Sequence, residues 1–475
     1  MISRAFCLLA TVLILWGCVT TTKAHNPLER AKYLDLSCND CNVIFLDIDL
    51  LRADFVGLMN ERRHTTPNID AFFEKAIIFE DVSASSGVTA ISNTATLMAR
   101  DGEFTHALLR KTYVDNPPQM PHRYQRLFSK LPTIAEILHL KGYETININH
   151  SWYAGKQMLL DRGIDRYWGS GEVGENDNAP GIVIAKTTEI INEKIIAKNK
   201  FFLLMRSEDL RGLPYRYPSN RPQVTDSRIQ YKKMGNDQYN IYFQPMPDGT
   251  LTAEWPSHAR VNWMPDTDIE VYRKLSQTLY TQQLTFVDEE LGKLFSVIED
   301  SYLLDNTIVV LYSNHGDGLY DNRVPNHGVS YQSCISVPMI IRHPKIKKAT
   351  RIPEAVALID LVPTIYKMVS ARPPDDVDGV SLLDVINGGR YPRSYFFGSD
   401  KESKYVRQGK MKLLVWADRT KELFNLAVDS GESNNIAKEY PHLVTILYER
   451  MIAHEIEQLD RALQVLTKDS SEDGK

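Results

Sequence analysis

Four side chains in three separated segments have the types needed for metal-assisted ester cleavage. NVIFLDIDLLRAD at 42–54 is an apolar run that ends in Asp49. SGVTAISNTATLM at 86–98 presents Thr89, a hydroxyl among small residues where a helix can begin. VVLYSNHGDGLYDNRVPNHG at 309–328 ends its apolar run in Asn314 and His315 and carries His327 further on. A carboxylate, an amide oxygen and an imidazole can share one divalent cation, and a cation beside a hydroxyl lowers its pKa until the oxygen can attack. The expected metal set is therefore Asp49, Thr89, Asn314 and His315, holding one ion of zinc, manganese or calcium. A carboxylate at the end of an apolar strand is costly unless paired or metal-bound, which favours Asp49 as a ligand. Asp47 shares its strand face but sits deeper. Thr89 has a plainer reading as a helix cap, His315 as a strand-end residue and His327 as a loop-packing one.

The elements that must position these groups alternate between strand and helix. NVIFLDI, AIIFEDVSA, YETININH, KFFLLMRS, NTIVVLYSN and VPMIIRHP read as strands, with TTPNIDAFFEKA, LPTIAEILHLKG and GIVIAKTTEIINEKIIAK as helices among them. That alternation predicts a mostly parallel sheet covered on both faces. Ligands in such sheets gather beyond the carboxyl ends of the strands, where Asp49, Arg206 and Asn314-His315 all fall. Residues 207–266 break the pattern and read as an insertion or lid, with a hairpin turning at Asp248-Gly249. Between Arg206 and Lys233 it holds seven basic and three acidic residues, which suits an anionic substrate. After 390 short strands and a helix predict a small antiparallel subdomain over 391–462, with 463–475 as a disordered tail.

The chain has 475 residues, a net charge of −5 and no Lys/Arg cluster, which gives no footprint for nucleic acid. Residues 1–17 read as an export signal, with Arg4 ahead of an apolar run too short to span a bilayer. Leu15-Trp16-Gly17-Cys18 resembles a bacterial lipobox, which makes Cys18 the lipidation site and 18–38 a tether. Val19 in place of an Asp then favours the outer membrane, facing the periplasm. Cys38 and Cys41 precede a strand rather than a helix, so a local disulfide or two idle thiols is expected instead of a redox pair.

Set side by side, the segments resemble the sulfatase branch of the alkaline phosphatase superfamily over about 40–455. Asn42–Gly57 is similar to that family's D-T-L-R-A-D-x-x-G segment, with Asp49 at the metal-binding Asp. SNHG at 313–316 stands where the family has S-D-H-G, and NHG at 326–328 where it has G-H-G. ALIDLVPTIYKMV, DGVSLLDVI and ELFNLAVDSGESNNIA match the stretches that close the two parts of the fold. The resemblance implies an alkaline-phosphatase-like α/β domain over 39–390 with the small antiparallel subdomain behind it.

It also implies a chemistry with departures. Sulfatases convert the Cys or Ser of C/S-x-P-x-R into formylglycine, but here Thr89-Ala90-Ile91-Ser92-Asn93 stands in that place. Thr cannot mature that way. T-A-x-S is instead similar to phosphoethanolamine transferases, which use the Thr itself. The expected activity is therefore a metal-dependent hydrolase or phosphotransferase for phosphoesters or phosphodiesters, with Thr89 as nucleophile and His327 protonating the leaving oxygen. Asn93, Arg206 and Arg211 are the expected substrate contacts, Arg suiting bidentate oxyanion binding. Sulfate-ester hydrolysis is one alternative. A non-catalytic relative that binds an anionic glycan or lipid headgroup is the other. The substrate classes in view are a lipid headgroup, a glycan and a small phosphodiester. Asn314 in place of an Asp weakens the metal set by one charge. No D-x-x-x-H occurs at 205–215 for a second metal.

Overall fold

The computed structural model describes residues 33–115, 131–149, 160–169, 180–197, 199–211 and 260–472, with short pieces between them. The export signal, Cys18 and the tether as far as residue 32 lie outside the described residues. Along the chain run β1 (Asn42–Ile48), β2 (Ile77–Ser83), β3 (Glu144–Asn149), β4 (Arg166–Gly169) and β5 (Phe201–Ser207). The insertion holds β6 (Tyr215–Pro218), β7 (Gln230–Lys233), β8 (Gln238–Tyr242), β9 (Gln244–Pro245) and β10 (Leu251–Thr252). β11 (Thr307–Tyr312), β12 (Met339–Arg342) and β13 (Thr350–Ala357) complete the main sheet. β14 (Phe396–Ser399), β15 (Ser403–Gln408), β16 (Met411–Trp416) and β17 (Lys421–Asn425) make a second one.

The main sheet has eight strands in the order β13-β2-β12-β11-β1-β5-β3-β4. All neighbours are parallel except around β12, which runs against both β11 and β2. Two reversals cancel, so β2 points the same way as β1, β5 and β11. The ends of those four strands therefore share one edge. Fully buried strands need apolar side chains on both faces, and β1 supplies them. Val43 and Phe45 enter one core, while Ile44, Leu46 and Ile48 enter the other. Helices Ile182–Ala197 and Asp266–Glu299 cover the second face, through residues such as Ile191, Leu284 and Leu291. Helices Thr89–Leu97 and Leu361–Met368 cover the first.

The second sheet is antiparallel, in the order β14-β15-β16-β17, and packs against helix Pro441–Glu472 through Leu413, Leu423, Leu447 and Met451. That helix corrects the expected disordered tail: it continues through 463 to Glu472. Ala462 is buried and Val465 packs against the main core, so apolar contacts at helical spacing carry the helix onward. In the insertion β9 pairs with β10 as the expected hairpin, and its turn at 248–249 lies outside the described residues. Cys38 and Cys41 are joined in a disulfide. Among the described residues no helix is long and apolar enough to cross a membrane.

Candidate active site

The shared strand edge brings the sequence-selected residues together. Asp49 lies just past β1, after which Leu50 takes a left-handed turn at φ 66° and Tyr280 Oη donates to the Leu50 carbonyl (2.8 Å). Asn314 and His315 follow β11. Their loop is fastened by Ser313, whose hydroxyl donates to the His315 carbonyl (2.6 Å) and accepts from Leu51 N–H (3.1 Å). Gly316 is required there, because a Cβ would lie 2.3 Å from the Ser333 carbonyl. Arg52 does not reach the site. It is tied to Asp54, Asp321 and the Asp317 carbonyl, and so holds the 317–321 loop to the end of β1.

Thr89 is the first residue of its helix, and the cap position itself is held by Val88, which makes no side-chain cap bond. Thr89 Oγ1 lies 2.9 Å from His315 Nε2. His315 Nδ1 is 2.8 Å from the Gly316 carbonyl, which can only accept, so the ring proton sits on Nδ1. Nε2 is then the acceptor and Thr89 the donor. Burial pushes the His315 pKa down to about 3, against the opposing pull of Asp49, so the ring is neutral at pH 7. A hydroxyl donating to an oriented neutral imidazole is the nucleophile–base arrangement of acyl- and phosphoryl-transfer enzymes. Ser92, one turn along the helix, donates to the Asn314 carbonyl (2.5 Å) and fixes this helix to the β11 loop. His327 stacks on His315 with ring centroids 4.7 Å apart, and its Nδ1 is 3.6 Å from Asp317.

Beside that pair lies a buried charge cluster. Arg206, at the end of β5, stands across from Asp47 of β1 in the parallel register. Its Nη1 donates to Asp47 Oδ2 (2.5 Å), and its Nη2 is 3.1 Å from Asp49 Oδ2, an ion pair without hydrogen-bond alignment. Asn314 Nδ2 donates to Asp47 Oδ1 (3.1 Å) and Asp49 Oδ1 (3.0 Å). With its amide oriented to satisfy both neighbours, Asn93 donates to Asp47 Oδ2 (3.1 Å) and accepts from Arg206 Nη1 (2.5 Å). All five side chains are buried. One guanidinium thus faces two fully buried carboxylates, with the partly exposed Glu208 at 3.8 Å on its outer side. Burial raises Asp47 to about 6 in spite of Arg206, whereas for Asp49 burial is opposed by Arg206, His315, Arg211 and His327 together, which hold it well below the usual carboxylate range.

The residues present do not fit a divalent ion at this point. Of the four expected ligands, Thr89 and His315 are engaged with each other, and Asn314 turns its N–H to the carboxylates, its Oδ1 standing buried on the far side without a hydrogen-bond partner. Asp49 is engaged by a guanidinium. Among the described residues no group of three His, Cys, Asp or Glu side chains could hold a metal. The expected substrate contacts are also engaged internally: Arg206 as above, and Arg211 with Glu208 (2.9 Å).

One positioning residue escaped the sequence reading. Asp400, in the turn after β14, accepts from Ser86 Oγ (2.5 Å), Gly87 N–H (2.7 Å) and Ser330 Oγ (2.5 Å). The small subdomain thereby clamps the loop that carries Thr89 to the loop after His327. Nothing local marks an Asp in a turn as a clamp, since its partners lie 70 to 314 residues away.

Comparison with known proteins places this chain in a family. Residues 41–371 match the sulfatase family model, and 316–459 match that of the N-sulphoglucosamine sulphohydrolase C-terminal region. An N-acetylglucosamine-6-O-sulfatase of Bacteroides thetaiotaomicron is 28% identical over 519 residues, covering 90% of this chain and 89% of its own. An arylsulfatase of Clostridium perfringens is 23% identical over 464 residues, 86% of this chain and 93% of its own. A solved structure in complex with its substrate D-glucosamine-2-N,6-O-disulfate shares the fold at TM-score 0.65 and 19% identity, covering 89% and 98%. The phosphonate monoester hydrolase of Agrobacterium radiobacter shares it at TM-score 0.61 and 13% identity, covering 88% and 96%.

Proposed function

The chain belongs to the sulfatase family, whose fold is alkaline-phosphatase-like and whose members hydrolyse esters, and from that premise we propose that it cleaves sulfate esters on an anionic glycan. The names of its relatives support the substrate class: an N-acetylglucosamine-6-O-sulfatase, and a structure holding glucosamine disulfate. The observation that carries the chemistry is the 2.9 Å bond from Thr89 to a His315 ring whose other nitrogen is anchored. In the first step Thr89 Oγ1 attacks the sulfur while His315 Nε2 takes its proton. The S–O bond to the sugar breaks, leaving an O-sulfothreonine, and the departing sugar oxygen takes a proton from His327 or from water. Water then attacks the same sulfur and the S–Oγ1 bond breaks; His315 returns its proton to Thr89 Oγ1, the proton lost by the water replaces the one given to the sugar, and sulfate leaves. Burial holds the His315 pKa down to about 3, so the ring is neutral at pH 7 and can accept the proton.

Phosphate esters are the second reading, and one observation favours it. The nucleophile is a threonine hydroxyl, which can attack phosphorus without maturation. Incubating the purified full chain with a 6-O-sulfated N-acetylglucosamine oligosaccharide, a phosphate monoester and a phosphodiester separates the two. Sulfate release is expected, lost by about 10³-fold or more in Thr89→Ala. Phosphate release alone moves the reading to phosphoesters. Undiminished turnover in Thr89→Ala removes Thr89 from the mechanism.

A further inference from the structure

Sulfatase-family enzymes are generally metal-dependent, and this chain departs from the pattern at one identifiable place. We propose that Arg206 is a built-in cation: its guanidinium fills the position a divalent ion would take between Asp49 and Asn314, so the folded chain neither holds nor needs a metal there.

Three observations carry this. First, the guanidinium lies among the carboxylates, 2.5 Å from Asp47 and 3.1 Å from Asp49, and is itself 2% exposed. A divalent ion bound by oxygens at about 2.0–2.6 Å would have to share that space with a fixed positive charge. Second, the surrounding amides suit a guanidinium network. Asn93 offers its oxygen to Arg206 Nη1, and Asn314 turns its N–H group to Asp47 and Asp49. An Asn donates hydrogen bonds to carboxylates without adding charge, whereas an Asp at 314 would place a third carboxylate in the cluster. Third, Asp47 and Arg206 occupy register positions on adjacent parallel strands. A buried arginine at the end of the apolar run FFLLM requires a carboxylate partner, and Asp47 stands where the strand alternation delivers one. The extra carboxylate and the extra guanidinium form one unit.

The test reads metal content and thermal stability and needs no substrate, so it is separate from the choice of ester. The full wild-type chain is equilibrated with calcium, manganese or zinc, desalted and assayed for bound metal, and its Tm is measured with EDTA and with each ion. The expected result is less than 0.1 equivalent of metal and a Tm unmoved by EDTA or calcium. Arg206→Ala leaves Asp47, Asp49, Asn93 and Asn314 around an opened space, and is expected to bind calcium at least tenfold more tightly than wild type, with a Tm that rises on addition. If Arg206→Ala does not fold without metal, Arg206→Lys, which keeps the charge, should fold and remain indifferent to calcium. One tightly held metal per wild-type chain, or a wild-type Tm lowered by EDTA, overturns the proposal. So does a folded Arg206→Ala that gains no affinity for any of the three ions.

Discussion

Two of the buried charge clusters among the described residues are held together in different ways. At the carboxyl edge of the main sheet one guanidinium, Arg206, serves two carboxylates, Asp47 and Asp49. Where the second sheet docks, Lys412 and Glu432 form a one-to-one pair at 2.7 Å, with Lys412 also donating to the Ser330 carbonyl (2.6 Å). Nearby Asp400 is held by hydroxyls and a backbone N–H. At the junction Lys412 pairs with Glu432, while Asp400 is held by three hydrogen-bond donors, and the group fastens loops. The edge cluster carries one carboxylate more than its cation matches, and the excess appears in Asp47, pushed up to about 6 by burial. A buried carboxylate shifted by burial and charged neighbours inside a cleft of polar groups is the pattern of a functional site.

The largest expected effect comes from removing the single cation of the edge cluster. Arg206→Met in EDTA leaves two adjacent buried carboxylates and is expected to cost about 3–5 kcal/mol of stability. Lys412→Met leaves Glu432, which can take up a proton, and Asp400, which keeps its three hydrogen-bond donors, and should cost measurably less. Urea unfolding of both variants at pH 7 checks this, and equal losses would break the comparison.

A pH series sharpens it. Asp47 has a folded pKa of about 6 against an ordinary 3.8, so the folded chain binds the extra proton between those values. Its contribution to stability is fully present below about pH 3.8 and is lost as pH rises through 6. The two-unit difference is worth roughly 3 kcal/mol. Asp47→Asn should therefore gain on wild type as pH rises from 4 to 7, read as a change in the urea-midpoint difference in the variant's favour. A constant difference would mean that Asp47 does not titrate in that window.

The smallest effect is at the clamp. Asp400→Asn keeps one acceptor oxygen but loses the charge and the second oxygen. It should cost about 1–2 kcal/mol and lower kcat with KM nearly unchanged, because the loop that holds Thr89 loosens. A rise in KM with kcat unchanged would make Asp400 a substrate-side residue instead.

Much of this architecture was legible from residue patterns. Apolar runs such as NVIFLDI and NTIVVLY became adjacent parallel strands, and their direction placed Asp49, Arg206 and Asn314-His315 at one edge. The spacing did not say how those side chains use one another. The strand-end arginine was expected to await an oxyanion, whereas Asp47, two residues before Asp49, turns it inward. The signal was present, since a charge in an all-apolar strand demands a partner, but only the register between β1 and β5 names it. Thr89 was legible through its neighbours, and its bond to His315 was not, because 226 residues separate them. Asp400 had no signal beyond its own identity.

The most direct measurement is the position of the covalent intermediate. Wild-type chain in turnover with a slow sulfate ester is quenched in acid, digested and read by peptide mass spectrometry, with Thr89→Ala alongside. The account predicts a sulfated hydroxyl at Thr89 during turnover, absent from the variant. Turnover at wild-type rate with Thr89 unmodified, or persisting in Thr89→Ala, would contradict it.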